Sequence, residues 1–373
     1  MSLDIREVRT GKELRQFIYL PKKFHSKDPG WLPPIWSDEW ILFNKKKNNS
    51  YKYADTIMLL AWQGKEVVGR IMGIISHRYN ESAGENNGRF CFIECDNNQE
   101  VFHALVKAVE DWARDKGMTD IVGPFGFSDK DPEGFIIEGF DVPQVMTSAN
   151  NFPYMPELIV KEGYSTKKTS VNYHVPVPEV LPPVYEKINA RVSARSDIRL
   201  VEFRTKKELK PYILEILELM NQVFRDIYGF VALSEQEKKE LRDRYLMLIS
   251  PEFVKTVVND KGTLIGFALG IPDLSEGIKK ARGRLLPFGI FYILRAAKKS
   301  RTLLMVLGGI LEEYRGQGID TIMGAKMVES AIKSKMKTID SHLVLEDNLP
   351  MRGEYERLGG KVVKRFRVYT KKL

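Results

Sequence analysis

The sequence predicts a mixed α/β protein (α+β mixed) made of two domains with one plan. Three observations predict it. The chain has 373 residues, more than one hydrophobic core usually serves. Hydrophobic residues make up 43% and charged residues 29%, the balance of a folded, water-soluble chain. Runs with strand alternation are interleaved with segments of helical spacing, and the order of elements occurs twice. The proline-dense segment 176–183 separates the two occurrences, which sets domains at 1–176 and 198–373 with a linker at 177–197.

In the first half, 3–8 reads as a short strand and 11–19 as a helix. Pro21, Pro29, Pro33 and Pro34 then predict an extended, turn-rich stretch, pinned to a core by Trp31, Trp36 and Trp40. Segments 57–63 and 67–77 form a hairpin across Gly64 and Lys65, and 90–94 is another strand. Val101, Leu105, Ala108, Val109 and Trp112 fall at helical spacing within 98–116, and Gly117 ends that helix. Ile121 and Val122 begin a strand, and 123–143 is a loop rich in Gly, Asp and Pro. A short helix at 154–162 stops at Gly163, and a strand at 169–175 closes the half.

The second half repeats this order. A strand at 199–203 precedes a helix at 206–228, with Ile213, Ile216, Leu217, Met220 and Phe224 on one face. A second helix covers 235–249. Segments 253–259 and 264–271 form a hairpin across Asp260, Lys261 and Gly262, and a basic, partly apolar insert follows at 274–300. Then come a strand at 303–310, a loop at 312–318, a helix at 319–336 and a strand at 342–345. A short helix at 351–358 is stopped by Gly359 and Gly360 before a last strand at 362–369.

Composition excludes several classes. Cys91 and Cys95 fit a reducing compartment and give no zinc spacing. The five histidines are scattered, so no metal is expected. A net charge of +9 favours polyanions, a CoA thioester as much as a nucleic acid. No helix-turn-helix, zinc-finger or RNP pattern is present, so no nucleic-acid partner is expected. The longest apolar run, 285–297, is broken by Pro287, Gly289 and Arg295, which predicts no transmembrane segment. The N-terminus has no signal-peptide apolar region, and the expected location is the cytoplasm. The oligomeric state stays open.

The chemistry concentrates in Arg315-Gly316-Gln317-Gly318-Ile319. A strand runs into it and a helix leaves it. The glycines permit a tight turn, and the new helix presents unpaired N–H donors at the positive end of its dipole, a site suited to a pyrophosphate. The next strand is followed by Asn348, Met351, Tyr355, Gly359 and Gly360 at regular spacing. Over about 70 residues, 303–368, this order resembles the GNAT superfamily of acyl-CoA N-acyltransferases. The family's loop pattern is Gln/Arg-x-x-Gly-x-Gly/Ala, and here Glu313 takes the first position. Its later pattern is Asn-x-x-Ala-x-x-x-Tyr-x-x-x-Gly-Phe/Gly, and here Met351 stands where Ala is common.

The resemblance implies two GNAT-like domains, each a mostly antiparallel sheet splayed at its centre and flanked by helices. The strands ending near Ile310 and Leu345 would part, and acyl-CoA, with acetyl-CoA first among donors, would lie in the gap. Backbone N–H groups of Arg315, Gly316, Gln317, Gly318 and Ile319 would hold the pyrophosphate. An N–H near Ile310 or Leu311 would polarise the thioester carbonyl. Asn348 would bond the pantetheine arm or order the strand end. Tyr355 would protonate the departing thiolate, and a small-molecule or peptide amine would be acylated. The general base stays open. Strand 303–310 holds no acid, and Glu312, Glu313, Glu346 and Asp347 are expected on the surface.

The first half resembles the same fold in degenerate form. No glycine lies between Cys95 and Glu100, and Asp96 and Glu100 would repel a pyrophosphate, although Asn151-Phe152-Pro153-Tyr154 is kept. A rival reading is a catalytically inactive GNAT-fold protein that binds CoA or a metabolite. A tandem-domain aminoacyl-tRNA-dependent transferase would not need the glycine loop. The insert carries Lys279, Lys280, Arg282, Arg284, Arg295, Lys298, Lys299 and Arg301 around an apolar centre. It suits an acceptor or long-acyl pocket or a membrane-surface contact. A helix-loop with a solvated basic face is preferred, because Pro287 and Gly289 spoil a clean amphipathic helix.

Overall fold

The computed structural model describes residues 2–183, 185–187, 190 and 195–373. Part of the expected linker at 177–197 lies outside the described residues. Alternating and near-continuous apolar runs form fourteen strands among the described residues, joined in one sheet. The first half supplies Leu3–Glu7 (β1), Ala54–Gln63 (β2), Glu66–Ser76 (β3), Asn87–Cys95 (β4), Asp120–Gly123 (β5), Phe135–Glu138 (β6) and Ser165–Pro176 (β7). The second supplies Ile198–Glu202 (β8), Val254–Asn259 (β9), Leu264–Pro272 (β10), Thr302–Ile310 (β11), Thr338–Asp340 (β12), Val344–Leu345 (β13) and Lys361–Lys372 (β14).

The strand order is β1-β2-β3-β4-β5-β14-β7-β12-β11-β10-β9-β8, with β6 on β14 and β13 on β7. Pairing is antiparallel except at β4–β5 and β11–β12. The two halves exchange strands at the centre. The last strand, β14, pairs β5 of the first half, while β7 of the first half pairs β12 of the second.

Helices cover both faces. In the first half, Gln99–Asp115 (α4) and Met155–Lys161 (α5) pack one face, and Gly11–His25 (α1) and Trp36–Leu42 (α2) pack the other; His77–Ala83 (α3) follows β3. In the second half, Ile319–Lys333 (α10) buries Ile319, Ile322, Met323 and Met327 against one face, with Leu349–Arg357 (α11) beside it. Lys206–Val223 (α6) buries Leu209, Ile213, Ile216 and Met220 against the opposite face, with Glu235–Tyr245 (α7) packed on it. The insert forms Ser275–Lys280 (α8) and Gly289–Lys299 (α9).

Four expectations change, the first being that the stretch expected to be extended around Trp36 and Trp40 forms α2 there. The helix expected at 11–19 runs on to His25 through Pro21. Proline cannot donate to the carbonyl four residues back, and the freed Phe17 oxygen accepts instead from Arg70 Nη1 at 2.7 Å. The loop expected at 123–143 contains β6, paired to β14, a partner more than 200 residues away in sequence that local pattern cannot signal. The single strand expected at 342–345 is two short pieces, β12 and β13, broken at His342, whose φ of 55° is left-handed.

Candidate active site

β11 and β12 pair in parallel only at Thr302–Thr338, Leu303–Ile339 and Leu304–Asp340. Beyond that point they part. β11 continues to Ile310 beside β10, and β13 turns to β7. This opens the expected splay. The Leu311 N–H donates to the Ile265 carbonyl at 2.9 Å, so it faces β10. Strand alternation then turns the N–H and C=O of Ile310 into the open gap. There Arg315 Nε donates to the Ile310 oxygen at 3.3 Å. Of the two expected thioester-polarising groups, Ile310 therefore faces the gap and Leu311 does not.

The glycine loop sits at the mouth of the same gap. Gly316 and Gly318 are left-handed, at φ of 71° and 81°. A Cβ at Gly316 would meet no protein atom within 4 Å, so the space over the loop is open. Gly318 caps α10 without a side chain; the Thr321 N–H is taken by Asp320 Oδ1 at 2.8 Å, which leaves the N–H groups of Ile319 and Asp320 to an outside acceptor. Gln317 is held by its side chain, which donates to the Glu313 carbonyl at 2.8 Å and accepts from Arg195 Nη2 at 3.0 Å. Arg195, which sequence reasoning missed, thus reaches the loop while its guanidinium also pairs with Asp197, Nε to Oδ1 at 2.9 Å.

Tyr355 projects from α11 toward the same side of the sheet and stacks on Tyr173, with ring centroids 5.6 Å apart. Burial, and then the Asp340 charge, raise its pKa, so the phenol stays protonated at neutral pH. Asn348 caps α11, accepting from the Met351 N–H at 3.3 Å. Its side chain is thus engaged in ordering the segment after β13.

Sequence reasoning missed the group on the opposite face. Leu303 and Ile339 point to α10, so their neighbours Leu304 and Asp340 point to the α6 side. There Asp340 is 1% exposed. It accepts from Asn172 Nδ2 at 2.7 Å and the His342 N–H at 2.9 Å, and pairs with His174 Nε2 at 3.2 Å. Burial alone would raise its carboxyl, but the bonds from His174, His342 and Asn172 outweigh that and hold it below the ordinary carboxylate range. A narrow cavity opens here. It is lined by Asp340, His342, His174, Asn172 and Lys364, and roofed by Val142, Pro143, Val145 and Ser148 of the first half.

His342 lines this cavity. Burial lowers its pKa against the opposing pull of the Asp340 and Asp129 charges, so the imidazole is neutral near pH 7. Among the described residues its ring nitrogens make no hydrogen bond, in contrast to His174. Burial likewise lowers Lys364, whose Nζ lies 3.4 Å from the Pro143 carbonyl. The available signal was two titratable residues, Asp340 and His342, at the end of a strand otherwise patterned for a core.

In the first half the corresponding gap is closed. β4 and β5 part after Arg89–Val122. The Cys95 carbonyl at the end of β4 accepts from Tyr154 Oη at 2.8 Å. Phe152 stacks on Tyr154 and on His25, and His25 Nε2 meets Glu94 at 3.0 Å. Asn98 caps α4 and takes the Glu100 and Val101 N–H groups, whereas at the matching positions of α10 only the Thr321 N–H is taken, by Asp320.

This architecture is the tandem GNAT fold. A tandem GNAT protein from the clavulanic acid biosynthesis pathway superposes with a TM-score of 0.58 at 13% identity, covering 100% of this chain and 98% of that one. Two curated relatives match over almost their whole length. The bacterial ceramide synthase of Caulobacter vibrioides (strain NA1000 / CB15N) is 27% identical over 385 residues, 100% of this chain and 98% of that protein. Protein YghO of Escherichia coli (strain K12) is 26% identical over 379 residues, 99% of this chain and 95% of that protein. No family model matches the chain.

Proposed function

We propose that the chain is an acyl-CoA-dependent N-acyltransferase whose two substrates meet across the splayed sheet. The observation that carries the proposal is the pairing of an uncapped, glycine-opened helix at one mouth of the gap with a neutral, unbonded imidazole on the other face. Acyl-CoA lies on the α10 side, its pyrophosphate on the N–H groups of residues 316–320, the Arg315 N–H being taken by the Glu312 carbonyl at 3.1 Å, and its thioester carbonyl on the Ile310 N–H. The acceptor presents its amino group to the cavity roofed by 142–148, whose room of about 10 Å³ admits that group and not the rest of the molecule. His342 takes a proton from its ammonium, and the freed nitrogen lone pair attacks the thioester carbon. The C–S bond breaks, Tyr355 protonates the leaving thiolate, and the second proton shed by the new amide nitrogen restores the Tyr355 phenol, so that the net proton released is the one on His342. Asp340 steadies the imidazolium that forms on His342, and His174 and Asn172 hold Asp340 in place.

The full-length likeness to a ceramide synthase favours a long-chain amino alcohol as acceptor and a long-chain acyl donor over acetyl-CoA, since a ceramide is the amide of those two parts. Thiol release from acetyl-CoA and palmitoyl-CoA, measured with a long-chain amino alcohol, a short alkylamine and a peptide, tests the reading. Turnover is expected with the long-chain pair. Acyl-CoA binding with no turnover on any amine would leave a binding protein, and no binding at all would remove the reading entirely.

A further inference from the structure

The insert between β10 and β11 carries a surface that the cavity chemistry does not use. Its two helices are locked together. A Cβ at Gly277 of α8 would meet the Ile293 backbone at 2.6 Å, so the helices touch there. Ile278 and Ile293 join Leu274 and Leu32 in a small core that also includes Met146. Trp36 donates from Nε1 to the Arg282 carbonyl at 3.0 Å, and its N–H bonds the Gly283 carbonyl at 3.0 Å, fastening the insert to the first half. The insert is therefore held on two sides.

Its outer face is apolar and uncovered. Leu286 is 80% exposed, Phe288 69%, Phe291 63%, Leu294 41% and Ile290 40%. Pro287 and Gly289 lie before and at the start of α9, and the helix runs unbroken to Lys299. Ile290, Phe291 and Leu294 share one stripe of it. The expected interruption of the amphipathic helix is thus absent. Around the stripe, Arg282, Arg284, Arg295, Lys298 and Lys299 are exposed, and none has an acidic partner among the described residues. Glu276 is the single acid in 274–301, against eight bases.

We infer that this face docks on an anionic lipid bilayer, with Leu286, Phe288 and Phe291 entering the headgroup boundary and the bases meeting lipid phosphates. Charge chooses the occupant. A second copy of the chain would set eight bases against eight, whereas an anionic bilayer complements them. The docked face is continuous with the cavity roof, because Met146 packs under the insert while Val145 lines the cavity. The surface stands on these observations whether or not the cavity performs acyl transfer.

The test is co-sedimentation of the full chain with vesicles of phosphatidylcholine alone or mixed with phosphatidylglycerol. Binding is expected to the anionic vesicles, weakening as salt rises. Lys298→Gln with Lys299→Gln should weaken it about thirtyfold, at about 1 kcal/mol per base. Phe288→Ser with Phe291→Ser should weaken it at least about tenfold. All four positions are exposed, and an unchanged unfolding midpoint checks that each variant is folded. Equal binding to both vesicles, or no binding, would overturn the inference. So would a dimer of the wild type that the Phe288→Ser/Phe291→Ser variant loses, since a second copy would then cover the face.

Discussion

An imidazole whose pKa burial lowers, with neither ring nitrogen hydrogen-bonded among the described residues and the Asp340 carboxylate bonded to its own backbone N–H, is poised to accept a proton. Because burial sets the His342 pKa below its ordinary 6.5, the base form should persist below pH 6.5, and kcat/KM should fall only as acid protonates the ring. His342→Gln should lower kcat/KM about 10²–10⁴-fold and abolish that acidic limb. A limb that survives in the variant would place the base elsewhere. Tyr355 invites the complementary change. Tyr355→Phe keeps the stack on Tyr173 and removes the proton donor. It should cut kcat about 10²-fold or more while acyl-CoA affinity in a binding titration stays near normal. Near-normal turnover would make Tyr355 a packing residue only.

At the scale of elements, the two helices that start beside the two gaps differ in one way that decides ligand binding. α4 begins with an Asn98 side chain on the Glu100 and Val101 N–H groups, whereas α10 begins with Gly318 and has only its Thr321 N–H taken, by Asp320 Oδ1. Gly316→Val faces no steric obstacle within the protein but strains a left-handed backbone and intrudes on the space above the loop. It should reduce acyl-CoA affinity at least about tenfold in calorimetric titration, with little change in the fold. The glycine side of this contrast was legible in sequence, because φ > 0 is a local property written in Gly316 and Gly318; the Asn98 cap was not read there, where only the missing glycines and the acids Asp96 and Glu100 set the first half apart. The site on the α6 face was not legible. It joins Asn172 and His174 of β7 to Asp340 of β12, a pairing about 166 residues apart that only the strand exchange creates. Pro21 misled for a related reason. Its helix continues because a distant residue, Arg70, satisfies the orphan Phe17 carbonyl. Arg70→Leu should therefore destabilise the protein by about 3 kcal/mol in urea unfolding, by stranding that carbonyl and the Glu94 charge nearby.

For the whole molecule, the exchanged strands govern how far the halves can be treated separately. β14 lies on β5 through Tyr369–Gly123, Thr370–Val122 and Lys371–Ile121, and on β7 from Lys361 to Thr370. Residues 1–176 alone would keep β7 without either neighbour, β12 or β14, and would leave an open edge on β5. Residues 198–373 alone would lose the strand that β12, β13 and β14 all bond. Unpaired edges of that length favour aggregation. Each fragment expressed alone should be insoluble or lack a cooperative unfolding transition, while the two expressed together should assemble and co-elute. Proteolysis is expected to cut first in the proline-rich 177–197 stretch. The nicked product should then run as one species in gel filtration, because the central strands hold it across the cut. If residues 1–176 alone unfold cooperatively with native-like circular dichroism, the exchanged strands are dispensable for that half, and the sheet must close without them.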